Sequence, residues 1–182
     1  MSEDILKRLD RIESRIEIME AISNYCKACD DRDVSLLRSL FTEDAEVHSA
    51  DGMMAGIGLE GIMQMYRKRF GVLEISVHWT HDTIITFDEN NPDRALGEVF
   101  CHAEAHRNKE TLIGSLRYED EYRREDGVWR FSRRLLKFLY YVPVGEYAEA
   151  LGSKLRMRGY GDERPADYPE SLACYNNWAD DE

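Results

Sequence analysis

Near residue 73 the sequence changes period, and that change limits what the chain can become more than any other feature. Before it, apolar residues recur at helical steps. Leu9, Ile12, Ile16, Met19, Ile22 and Cys26 advance by three and four along residues 4–29, one face of an amphipathic helix that is expected to be core. Asp30-Asp31-Arg32-Asp33 breaks the pattern, and Asp33 is placed to cap a short helix through Val34, Leu36, Leu37, Leu40 and Phe41. Residues 45–56 alternate weakly about Asp51-Gly52, a hairpin signal, and Ile62, Met63, Tyr66 and Phe70 mark a third helix ended by Gly71. After residue 73 the pattern has a period of two. It predicts strands over 75–87, 94–106, 111–124 and 128–141, parted by the polar turn 88–93, the turn 107–110 and Asp126-Gly127. Long strands with short connections form an antiparallel meander. Helices first and sheet second give an α+β plan, with N-terminal helices over one face of a curved sheet.

A length of 182 residues suits one domain with an extension. We place the domain at 1–144 and the extension at 145–182, with a further helix over 145–160. Residues 161–182 hold seven acids and one base, Arg164, yet Tyr168, Leu172, Tyr175 and Trp178 are too apolar for a purely solvated tail. This segment is expected to fold over the domain, as a lid, or onto a neighbouring subunit. The net charge of −12 argues against nucleic-acid or anionic-membrane partners. No apolar run approaches the roughly 20 residues that span a bilayer. Ser2-Glu3-Asp4 is unlike a secretory leader, so a cytoplasmic protein is expected.

Cys26-x-x-Cys29 invites a redox or zinc reading, but the pair closes a helical pattern, where the helix dipole opposes thiolate, and no second ligand pair follows. The two read better as small apolar residues in a helix packing. There is no phosphate loop, dinucleotide turn, His-Glu-x-x-His or serine elbow, so cofactors are not expected. What remains is acid–base chemistry by side chains. The candidates are Asp30 at the end of the first helix, Tyr25 five residues before it, and the strand histidines His78, His81 and His102. A strand histidine facing a cavity can hold and release a proton near neutral pH, given an acceptor on its other nitrogen. Spacing alone does not pair Asp30 with His78, and a solvated acid with a half-buried histidine is the plainer alternative. His78 and His81 fall on opposite faces of a regular strand, which disfavours a metal site. Arg134 lies opposite Trp129 and Phe131 in a straight strand, and enters a cavity only if that face is concave or a bulge intervenes.

Taken together, Leu9-Asp10-Arg11-Ile12, Ile22-x-x-Tyr25-x-x-x-x-Asp30, Phe41-Thr42-Glu43-Asp44-Ala45, His78-x-x-His81 and Asp126-Gly127-Val128-Trp129-Arg130-Phe131 resemble the SnoaL-like group of the cone-shaped nuclear-transport-factor-2-like superfamily, over roughly residues 5–142. Within the group the resemblance is to hexachlorocyclohexane dehydrochlorinase, bile-acid dehydratase and scytalone dehydratase. It implies a cofactor-independent lyase, a dehydratase or dehydrohalogenase, acting on a small hydrophobic cyclic compound through a His–Asp dyad. The same resemblance implies catalytic His78, Asp30, Tyr25 and Arg134, substrate contacts from His102, Trp79 and Phe100, no metal, and a homotrimer. Tyr25 stands where the bile-acid enzyme has a tyrosine and the dehydrochlorinase a lysine; the bile-acid enzyme's second aspartate has no clear counterpart, the position reading Ala103, or His102 after a slip. An isomerase of the ketosteroid type on the same scaffold, or a non-catalytic ligand-binding or dioxygenase β-subunit-like protein, are the alternatives.

Overall fold

The computed structural model describes residues 3–177, so Trp178 lies outside the described residues. Helix α1 (Glu3–Asp30) leads to α2 (Val34–Ser39), the short hairpin β1 (Phe41–Ser49) and β2 (Ala55–Ile57), and α3 (Gly58–Val72). Four long strands follow: β3 (Ile75–Phe87), β4 (Arg94–Arg107), β5 (Glu110–Glu125) and β6 (Val128–Pro143). They join in one mixed sheet, ordered β2-β1-β6-β5-β4-β3, in which β1 runs parallel to β6 and all other neighbours are antiparallel. The sheet is open, with β2 and β3 at its edges.

Local chemistry explains these boundaries. The Asp33 carboxylate accepts from Leu36 N at 2.9 Å, capping α2, and that backbone bond holds its pKa below the usual range. Asp126 and Gly127 both have positive φ (53° and 75°), the two-residue turn that matches strand twist, so β5 and β6 follow without slack. The core lies between α1, α3 and the inner sheet face, where Ile18, Val47, Ile62, Met63 and Phe131 are fully buried, each stabilising by about 1.5–3 kcal/mol.

Three sequence expectations change. The α1 stripe is core only in its C-terminal part: Leu9, Ile12, Ile16 and Met19 are exposed, whereas Ile22 and Cys26 are buried, together with Ile18, Ala21 and Tyr25. The reason is that the N-terminal half of α1 docks through polar and long side chains. Arg11 lies over the Phe87 ring at 4.2 Å, Arg15 donates to Ile85 O, and Arg124 bridges to Asp10 and Ser14. Second, β6 is bulged twice against β5, at Ser132 and at Leu139, and each bulge reverses the phase of its side chains. Phe131 and Arg134 therefore both face inward, as do Phe138 and Tyr141.

Third, the helix expected over 145–160 shrinks to a 3-10 turn (Val144–Glu146) and α4 (Tyr147–Ala150). Gly152, Gly159 and Gly161 disfavour continuation, and the backbone finds partners on β6 instead. Tyr141 N donates to Arg156 O at 2.9 Å, Arg158 N and Gly159 N donate to Tyr141 O at 2.8 Å, and Asp167 N donates to Phe138 O at 3.0 Å. Met157 is fully buried in this strap, and a Cβ at Gly159 would sit 2.4 Å from the Tyr141 ring, so only glycine permits the approach. Arg156 fixes the strap with two bonds to Glu170, at 2.8 and 2.7 Å, which pull the Glu170 pKa down to about 2. Helix α5 (Ala173–Asn176) closes the described chain. Among the described residues no helix is long and apolar enough to cross a membrane.

Candidate active site

The last residue of α1 and a histidine near the start of β3 build the centre of the site. Asp30 stands at a helix C-terminus, where the dipole disfavours a carboxylate, so its position needs compensation. Three donors from β3 supply it. His78 N donates to Asp30 Oδ2 at 2.9 Å, Ser76 Oγ donates to Oδ1 at 3.4 Å, and His78 Nδ1 lies 2.6 Å from Oδ1. The backbone bond fixes the carboxylate, and the fixed carboxylate orients the ring. Because a carboxylate only accepts, the proton sits on Nδ1 and Nε2 is left as the basic nitrogen. The dyad is largely shielded: the side chains of His78 and Asp30 are 12% and 20% exposed.

Around His78 lies a narrow, partly open cavity of about 30 Å³, room for roughly one water molecule. Tyr25, Tyr66, Arg69, Phe70, Phe138 and Tyr141 contribute to its wall. Tyr25 arrives about one and a half turns before Asp30 on the same helix, and its hydroxyl meets that of Tyr66 at 2.8 Å. Burial pushes the pKa of both phenols up, so each remains a neutral hydrogen-bond donor at physiological pH. A ring that enters this space therefore finds a base, a hydrogen-bonded phenol pair with one O–H left to donate, and apolar walls.

Arg134 is placed differently from the expectation. It is fully buried but does not line the cavity. Nε and Nη2 donate to Asp120 at 2.8 and 2.7 Å, and Tyr122 donates to the same carboxylate at 2.7 Å. Its guanidinium carbon lies 4.0 Å from the Tyr25 ring centroid, 4.3 Å from Tyr118 and 4.2 Å from Phe131. It thus supports Tyr25 from behind. The Ser132 bulge brings it to this side of the sheet, and Asp120 meets it there.

Trp79, Phe100 and His102 do not reach the cavity. β4 pairs with β5 without a bulge, and His78 opposes Ala103 on the inner face, so Trp79 and His102, opposed to each other, must point outward. Phe100 also faces out, under the Arg117 guanidinium at 5.0 Å. His81, carried outward by β3, meets His102 with Nε2 and Nδ1 2.7 Å apart, and burial followed by the neighbouring imidazole lowers the His102 pKa. Among the described residues no group of three or more His, Cys, Asp or Glu is placed to hold a metal ion. Cys26 and Cys29 are buried free thiols whose pKa values burial pushes up to about 12, as inert packing residues should behave.

Sequence reasoning missed Asp120 and Arg69 as site residues, and treated Tyr66 only as a helix marker. For Asp120 a signal existed: Tyr118-Glu119-Asp120-Glu121-Tyr122 puts the aspartate on the same strand face as two tyrosines. Arg69 carried no such signal.

Comparison with known proteins gives a consistent picture. The SnoaL-like domain family matches residues 10–135. The gamma-hexachlorocyclohexane dehydrochlorinase of Sphingobium indicum is 26% identical over 137 residues, covering 75% of this chain and 87% of that protein. The crystal structure of LinA superposes with a TM-score of 0.71 at 26% identity, covering 76% of this chain and 94% of the other. A putative scytalone dehydratase from Novosphingobium aromaticivorans shares the fold, with a TM-score of 0.67 at 21% identity over 73% of this chain and 89% of that one.

Proposed function

The chain belongs to the SnoaL-like domain family, and from that premise we propose that it is a cofactor-independent lyase whose base is the His78–Asp30 dyad. The observation that carries the reading is the 2.6 Å contact between His78 Nδ1 and Asp30 Oδ1, with His78 on the wall of a small cavity that Tyr25 also lines. Similarity to the dehydrochlorinase supports elimination as the reaction type.

In this mechanism His78 Nε2 removes a proton from a carbon next to an activating group. The C–H electrons become the new double bond as the bond to the leaving group breaks and its electrons depart with it. Tyr25, polarised by Tyr66, donates to the departing oxygen or halogen, or to the oxyanion of an activating carbonyl. Asp30 stabilises the imidazolium that forms, and the proton leaves with the expelled group as water or acid. Arg134 is a positioning residue here. Its charge beneath the Tyr25 ring holds the phenol in place, and Asp120 neutralises it. A positioned base contributes about 10²–10⁴-fold and a preorganised donor roughly 3–4 kcal/mol.

A small hydrophobic ring is the substrate class this wall suits, and a 30 Å³ cavity means that the rim must open to admit one. The strap over Tyr141 is the proposed lid. Exposed Trp79, Ile84 and Leu96 on the outer sheet face are the proposed contact of a homotrimer. The test is turnover of γ-hexachlorocyclohexane and a panel of cyclic β-hydroxyketones, followed by mass spectrometry and chloride release. Near-wild-type activity in His78→Ala would remove the dyad from the mechanism. The Tyr25–Tyr66 pair also suits an enolate, which favours isomerisation as the second reading; an unchanged product mass would select it.

A further inference from the structure

Beside the narrow cavity lies an open cleft of about 530 Å³ between α3, the β1–β2 turn and Tyr160. Lys68, Arg69 and Arg107 line it and no acid does, in a chain whose net charge is −12. The cavity and the cleft share two residues, Met54 and Arg69, which makes Arg69 the side chain between them. It stands on the last turn of α3, half-buried.

Several other shielded arginines are committed, and Arg11 stacks on Phe87. Arg134 holds Asp120, Arg156 holds Glu170, and Arg107 donates to Gly159 O beside the Tyr160 ring. Arg69 differs. Among the described residues its guanidinium forms no ion pair and no hydrogen bond, and the groups around it are the phenols of Tyr141, Tyr160, Tyr25 and Tyr66. The acids beside the two spaces have other settings, and Asp51 Oδ2 lies 3.8 Å from Arg164 Nη1. Asp51 accepts from Ser49 Oγ at 2.6 Å and Met53 N at 3.0 Å within its own turn, and Glu104 lies on the outward phase of β4. A guanidinium that lines an open cleft with no side-chain acceptor is available to an incoming anion, and its planar fork matches a carboxylate in two parallel bonds.

We infer that Arg69 anchors a carboxylate on the substrate, which lies with its anionic group in the cleft and its apolar body in the cavity toward His78 and Tyr25. Lys68 and Arg107 draw the anion in, and Arg69 fixes its distance from the dyad. The inference rests on the lyase reading for the fate of the apolar end, whereas the anion site makes no use of His78.

Isothermal titration of 2-naphthoate and its neutral amide, 2-naphthamide, tests it in the wild type, Arg69→Met and His78→Ala. The carboxylate is expected to bind the wild type about tenfold or more tightly than the amide. Arg69→Met is expected to erase that preference, and His78→Ala to keep it. Equal affinities in the wild type, no binding of either probe, or a preference that survives Arg69→Met would overturn the assignment. If Arg69→Met does not fold, Arg69→Lys decides: it keeps the charge but not the fork, so its preference should fall, and an unchanged preference counts against the anchor. Unaltered turnover in His78→Ala alongside an intact naphthoate preference would sink the dyad and leave the anion site standing.

Discussion

Replacing Asp30 by Asn removes one acceptor oxygen and adds a donor, which the site can accept only if the His78 ring changes tautomer. Two N–H groups converge on the carboxylate: His78 N on Oδ2 at 2.9 Å and the ring Nδ1 on Oδ1 at 2.6 Å. An amide accepts at only one of these places. If its oxygen faced the ring, its NH2 would confront the backbone N–H, orphaning a shielded donor at about 1–3 kcal/mol. If its oxygen faces the backbone, the NH2 confronts Nδ1, and the imidazole moves its proton to Nε2. That tautomer exchange leaves every group paired, so the second arrangement wins. The remaining loss is two charge-assisted bonds exchanged for neutral ones, about 2–3 kcal/mol of stability. The Asp30→Asn variant should therefore be a folded protein whose His78 presents N–H where the base was. Long-range proton–nitrogen NMR of the imidazole reads the tautomer without any substrate, and urea unfolding reads the stability. A His78 that keeps its proton on Nδ1 in this variant, with unaltered stability, would refute the reasoning.

Four further outcomes follow from the geometry. Asp120→Asn leaves the Arg134 charge buried and half-paired, so it should destabilise by about 3–5 kcal/mol in denaturant titration, whereas Arg134→Met with Asp120→Leu should fall much closer to wild type. Iodoacetamide should label the exposed Cys174 in the native protein and spare Cys26, Cys29 and Cys101, with mass mapping as the check. The Glu170 pKa is lowered from 4.5 to about 2, so the bond to Arg156 contributes fully above pH 4.5 and is lost as pH falls toward 2; Tyr168 resonances should hold their positions at pH 5 and shift across that window. Gly159→Ala places a methyl against the Tyr141 ring and should lift the strap, speeding ligand association in stopped-flow if the strap is a lid, and leaving it unchanged if it is not.

The period change, turn residues and caps made the fold legible in the sequence because each is a local device. Asp33 bonds three residues away, Asp126-Gly127 needs only its own dihedrals, and alternation along β4 defines two faces without reference to any other strand. Candidate chemistry was legible for a similar reason, since few side chains can act as acid or base, and the family resemblance then coupled Asp30 to His78 across 48 residues.

What the sequence left open is which face of each element turns inward. That is decided by neighbours. The unbulged pairing of β4 with β5 sends Trp79, Phe100 and His102 outside, and one extra residue at Ser132 brings Arg134 inside to meet Asp120. The stripe from Leu9 to Met19 on α1 stays exposed because arginines, not leucines, bridge that half of the helix to the sheet. Tertiary structure also left the Arg69 guanidinium without an ion pair among the described residues, on the wall shared by the cavity and the cleft. Local sequence specifies what a segment can form, whereas burial and pairing are properties of two surfaces meeting, and only the assembled sheet and helices determine them.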